Sequence, residues 1–149
     1  MLTPQFGTMK SNKQFFINLF ACMPMIVRQL NHVALHVADV EKSVTFYRDT
    51  LKLPAMDRPA FDFPGAWFQL GEDQELHLIG DRDLPVHSHH RGGHLALVVD
   101  SLDEWESHLD ACGAKRLPRK TRPDGALQTF VQDPDGHWIE LCVPPQGVT

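Results

Sequence analysis

HVALHVADVEKSVTFY (His32–Tyr47) and HLALVVDSLDEWESHL (His94–Leu109) carry one pattern twice in the same chain. In each copy a histidine opens a run of alternating apolar residues, the period of a half-buried strand. An acidic or hydroxyl residue follows, and then a charge-rich segment with helical spacing. Such internal repetition fixes architecture more firmly than single-residue propensity does. Each copy is therefore a strand, a cap and a helix.

In the first half, Leu30, His32, Ala34 and His36 alternate with Asn31, Val33, Leu35 and Val37. Asp39 is placed to cap a helix over about 40–51, with Val40, Val44, Tyr47 and Leu51 as its buried stripe. The second half repeats the plan, with His94, Ala96 and Val98 on one strand face. Ser101-Leu-Asp-Glu104 forms a capping-box signature, Leu102, Trp105, Leu109 and Cys112 make the stripe, and Gly113 suits the left-handed helix end. Three short strands are expected after each helix: about 55–60, 66–70 and 75–79, then 114–118, 126–132 and 137–143. Pro64-Gly65, Gly71–Asp73, Pro123–Gly125 and Asp133–Gly136 supply the turns between them. Each half thus reads β-α-β-β-β.

These modules, about 28–80 and 92–145, are joined by DRDLPVHSHHRGG (residues 81–93), a solvated linker or a lid at the mouth of a site. His87, His89 and His90 within it are poorly fixed for metal binding. Residues 1–27 match neither repeat, and QFFINLFACMPMIV there is too short and interrupted to span a bilayer. A poorly ordered extension is expected, with translation from Met25 as one origin and a signal peptide as the alternative; 146–149 is a tail.

The 149 residues fit one compact domain, but a module of roughly 60 residues buries little core alone, so the two must pack together. A content of 42% hydrophobic and 22% charged residues excludes collagen, coiled coil and broad disorder. The net charge of −5 argues against a nucleic-acid partner, since phosphate contacts need clustered Lys and Arg. A small-molecule partner, with no membrane, is the better expectation. Cys22, Cys112 and Cys142 are odd in number and show no CxxC spacing, which favours buried thiols in a reducing cytoplasm over disulfides.

Aligning the halves places His32 on His94 and, with one extra residue, His77 of ELHLIG on Glu140 of WIELCV. All four positions carry metal-ligand side chains. An approximate two-fold relation between facing sheets would bring them into one cavity suited to Zn, Ni, Mn or Fe(II). Glu140 is flanked by Trp138, Ile139, Leu141 and Cys142, an environment in which an ionised carboxylate is costly unless paired or coordinating. His36 on the His32 face, and Gln69 and Gln128 on neighbouring strands, are the candidate substrate-binding residues.

HVALHVADVEKSVTFYRDTLKL, RGGHLALVVDSLDEWESHLDACGAK and FVQDPDGHWIELCVPP, in that order, resemble the vicinal oxygen chelate superfamily, which includes glyoxalase I, fosfomycin-resistance proteins and extradiol dioxygenases. The resemblance covers about residues 28–145. It implies an α+β fold of two tandem βαβββ modules forming a partly closed, cup-shaped mixed sheet around a metal site. It also implies that His32, His94 and Glu140 are ligands of a divalent metal ion. His77 is the candidate for the fourth position, and Glu75, two residues earlier on the same face, competes for it.

The implied chemistry is chelation of two neighbouring substrate oxygens, with stabilisation of an enediolate-like intermediate, as in a lyase or isomerase. Glu140 and Glu75 are the candidate general bases. An extradiol Fe(II) dioxygenase is the alternative, although a fourth protein ligand leaves fewer positions for substrate and oxygen. A sequestering protein that binds a drug without transforming it is a further one, against which the retained donor set argues. No glutathione-recognition set is evident. Many such proteins are dimers with sites shared between chains, so a homodimer is expected by resemblance.

Overall fold

The computed structural model describes residues 25–145 and Gly147. Residues 1–24 of the expected extension, with Cys22, and 146, 148 and 149 of the tail lie outside the described residues. The chain runs through β1 (His32–His36), α1 (Val40–Thr45), a π-helical turn (Phe46–Thr50), β2 (Ala55–Met56), β3 (Gly65–Leu70) and β4 (Gln74–Ile79). The second module follows as β5 (Leu95–Val98), α2 (Leu102–Ala111), β6 (Lys120–Thr121), β7 (Leu127–Gln132) and β8 (Trp138–Val143). The duplicated plan is present in both halves.

Each module forms its own four-stranded sheet, in the orders β1-β4-β3-β2 and β5-β8-β7-β6. The first strand of each runs parallel to the last, and the remaining pairs are antiparallel. The two sheets are not closed into one continuous cup. Strand alternation divides every sheet into two faces. Val33, Leu35, Phe68, Leu76 and Leu78 turn inward with Leu95, Leu97, Val131, Ile139 and Leu141 to make one core. Tyr47, Leu51, Leu102 and Leu109 bring the two helices onto it. His32, Ala34, His36, Ala96 and Val98 fall on the opposite, exposed faces.

Both caps form. The Asp39 carboxylate accepts from the Lys42 amide at 3.1 Å, and the Ser101 hydroxyl accepts from the Glu104 amide at 3.4 Å. Gly113 takes φ +66°, the left-handed ending its position requires. Cys112, expected in the buried stripe, is exposed instead, because the helix has ended at Ala111 and the chain turns there. Cys142 is only partly buried.

The strand expected at 114–118 is reduced to a single bridge from Arg116 to Val131, and regular pairing resumes at Lys120 opposite Gln128. The register shifts by one residue between these points, which is a bulge. Pro118 lies inside it and has no N–H to give the ladder. Likewise the expected 55–60 strand pairs only at Ala55 and Met56.

The modules are clasped by the Asp133–Gly136 turn. The buried Tyr47 hydroxyl donates to Asp133 Oδ2 at 2.8 Å, while Asp133 Oδ1 accepts from the His137 and Asp135 amides. Asp135 accepts from the Ala38 amide, from Ser43 Oγ and from Arg82 Nη2, the last at 2.7 Å. Burial pushes the Asp133 carboxyl above its ordinary range, and the His137 charge and the Tyr47 hydroxyl only partly oppose it. Burial also acts to raise Asp135, but the bonds from Arg82 and Ala38 outweigh it and hold that carboxyl low. One turn therefore fixes α1 to the start of β8.

Candidate functional site

Strand register decides which side chains meet. In the first sheet His32 lies opposite Glu75, and Ala34 opposite His77; in the second, Ala96 lies opposite Glu140. Ala34 and Ala96 are equivalent in the repeat, so His77 and Glu140 occupy equivalent sites. Trp67 faces His77 and Phe130 faces Glu140 on the next strand over. Each module thus carries one cluster on the sheet face turned away from the shared core.

In the first cluster the rings of Trp67, His77 and His32 form a continuous stack, with centroids 4.1 Å and then 4.4 Å apart. His77 Nε2 donates to Glu75 Oε2 at 2.6 Å. Beyond Trp67 the loop after β2 adds Phe61 and Phe63, with the Arg58 guanidinium over both rings. His32 and His77 are therefore held by stacking, and Glu75 by its imidazole partner.

The second cluster centres on Glu140, whose side chain is only 7% exposed. His94 Nε2 donates to Glu140 Oε2 at 3.0 Å. The other oxygen, Oε1, is buried without a hydrogen bond, and the nearest cation, Arg122 Nη1, stands 4.0 Å away. A buried carboxylate oxygen left unpaired is costly, so this geometry is that of a group awaiting a partner. Phe130, Trp138 and His90 wall the cluster through edge-on ring contacts.

The donor chemistry of each cluster, imidazole nitrogen and carboxylate oxygen, fits a divalent ion. Among the described residues, however, no three His, Cys, Asp or Glu side chains gather closely enough to hold one. The four expected donors are brought together two by two: His32 with His77, and His94 with Glu140. Two half-sites stand where one cavity was expected.

The remaining candidates are spread over the same faces. His36 Nε2 donates to the Gly80 carbonyl at 2.8 Å, and Gln69 spends its amide on the carbonyls of Gly71 and Glu72 in the β3–β4 turn. Gln128 lines a cavity of about 140 Å³ with His90, Arg91, Leu117, Pro118, Lys120 and Phe130. The linker packs on the second module, where Ser88 Oγ accepts from the Trp138 amide. Arg91, Lys120 and Arg122 went unremarked in the sequence. The alternation of Lys120 and Arg122 beside a predicted strand was the signal available for two of them.

No helix among the described residues is long and apolar enough to cross a membrane. A family model for the glyoxalase/bleomycin resistance protein/dioxygenase superfamily matches residues 29–141. The metallothiol transferase FosB of Staphylococcus saprophyticus is 30% identical over 123 residues, which span 78% of this chain and 77% of that protein. Lactoylglutathione lyase of Salmonella typhimurium is 29% identical over 123 residues, spanning 76% of this chain and 90% of its own. Among solved structures, the glyoxalase family protein of Enterococcus faecalis superposes with a TM-score of 0.66 at 25% identity, over 79% of this chain and 99% of that one.

Proposed function

Because this chain belongs to the glyoxalase/bleomycin resistance protein/dioxygenase superfamily, we propose that it is a metal-dependent, glyoxalase-like lyase or isomerase of small oxygenated substrates. The observation that carries this reading is the buried, unpartnered Oε1 of Glu140 beside His94. His32, His77, His94 and Glu140 would hold the divalent ion. When bound, that ion supplies Lewis acidity toward two adjacent substrate oxygens.

The chain's own residues divide the other tasks. Glu140 would also be the proton acceptor once it leaves the ion, through Oε1, which no hydrogen-bond donor occupies. Glu75 instead holds the His77 imidazole proton, which makes it a positioning residue. Trp67 stacks on the His77 ring and Phe130 meets the His94 ring edge-on, so each aromatic orients the imidazole of its half-site. Because the half-sites are separate in one chain, the four-donor set is completed between two copies, as a homodimer. In support, β1 and β5 are both edge strands whose donor-bearing faces are exposed.

The test follows the substrate's C–H proton. Small α-hydroxycarbonyl compounds are incubated in deuterated water with metal-replete protein, and loss of the C–H resonance is recorded. Wild type is expected to exchange or convert at least one of them, Glu75→Gln to do so more slowly, and Glu140→Gln to fail while still folded. A metal-replete wild type that neither exchanges nor converts any compound would refute the lyase reading and favour sequestration.

A further inference from the structure

Arg91, Lys120 and Gln128 converge on the 140 Å³ cavity beside the His94–Glu140 half-site, and neither cation is in an ion pair among the described residues. Other arginines of this module are neutralised: Arg116 by Glu106 and Asp110, and Arg119 by Asp103 and Glu106. Arg91 and Lys120 are exposed side chains, and the cavity brings their two charges to one place. Register makes the placement a consequence of the fold. Lys120 lies opposite Gln128, Gln128 opposite Cys142, and Phe130 opposite Glu140, so all share one sheet face.

From this arrangement we infer that the cavity is a subsite for a compact oxyanion of the substrate, a carboxylate or phosphoryl group. It rests on the proposed function only for the identity of the reacting end, which meets Glu140. Lys120 offers a point charge, Arg91 a planar fork, and Gln128 an amide donor, a set suited to an oxyanion. Phe130 and Leu117 floor the pocket and limit its size. Burial, and after it the neighbouring charges that include Arg91 and Lys120, pushes the His90 imidazole pKa down. The substrate class is therefore an oxygenated compound with an acidic group close to its reacting carbons.

Inorganic phosphate and acetate serve as probes, titrated separately into metal-free protein while backbone amide resonances are followed. Saturable shifts are expected at residues 90–92, 119–121 and 128, with phosphate the tighter probe if the group is phosphoryl and acetate if it is a carboxylate. Losing one charge-assisted contact should weaken binding about tenfold in Lys120→Gln and in Arg91→Gln, with Lys52→Gln unchanged as a distant control. Absence of saturable shifts with both probes, or equal affinity in wild type and the Arg91 and Lys120 variants, would overturn the subsite. The metal content of the same variants is measured in parallel. Anion binding without metal uptake would sink the proposed function and keep the subsite, and the reverse would do the opposite.

Discussion

Replacing Tyr47 by Phe removes one hydroxyl from the clasp between the modules. Tyr47 is fully buried and its hydroxyl is the hydrogen-bond donor to Asp133 Oδ2, at 2.8 Å. Asp133 is itself 5% exposed, so the variant leaves a buried carboxylate oxygen without that donor. A hydrogen bond to a charged group contributes about 1.5–3 kcal/mol. For a domain of this length, that corresponds to a fall in Tm of about 3–12 °C.

The effect should depend on pH. The folded Asp133 pKa is raised by burial, so its ionised form costs stability at neutral pH, and the Tyr47 bond lessens that cost. Without the hydroxyl the pKa rises further. The gap between wild type and Tyr47→Phe is thus full at neutral pH and narrows as pH falls through the raised Asp133 pKa and the carboxyl is protonated in both proteins. Thermal unfolding followed by circular dichroism from neutral to mildly acidic pH measures it. A gap below 1 °C at neutral pH, or one that widens on acidification, would refute the reasoning.

Asp135→Asn should behave in the opposite sense: Asp135 is held low, so its stabilisation is present above the ordinary carboxylate range and lost only as pH falls through its depressed folded value. The variant should lose about 1–3 kcal/mol at neutral pH and show a flatter acid limb in urea titrations, and an unchanged limb would count against the Arg82–Asp135 pair. Gly65→Ala should cost about 2 kcal/mol, because its Cβ would stand 2.3 Å from the Leu78 carbonyl oxygen across the β3–β4 ladder; a neutral result in the same assay would mean that the ladder relaxes. Leu109→Ala should cost about 2–5 kcal/mol, since that side chain is fully buried between α2 and the second sheet, and a loss under 1 kcal/mol would place it outside the shared core.

Much of this architecture was legible in the repeat. The alternation in Leu30–Val37 and His94–Val98 separated two faces on each strand, and the structure turns Val33 and Leu35 toward the core and His32, Ala34 and His36 away from it, because period-two patterning survives tertiary context. Aligning His77 with Glu140 agreed with the register, which sets both opposite an alanine. What failed was local. Pro118 bulged the strand expected at 114–118, and the early end of α2 carried Cys112 into solvent.

The division of the donors into two half-sites was not legible in the periodicity, and only the resemblance, with its sites shared between chains, pointed toward it. Periodicity states which face a residue takes, but how two sheets lie relative to each other depends on long-range contacts such as Tyr47–Asp133 and Arg82–Asp135. The Arg91–Lys120 cavity escaped for a related reason. Its members come from the linker and from a strand displaced by the bulge.

The most direct test of the account is the metal content of untagged, purified protein, determined for wild type beside His94→Ala, His77→Ala and Glu75→Ala. About one divalent ion per chain in wild type, lost with His94 or His77 and retained with Glu75, is the predicted result. A folded wild type that holds no metal and takes none up on reconstitution would contradict it.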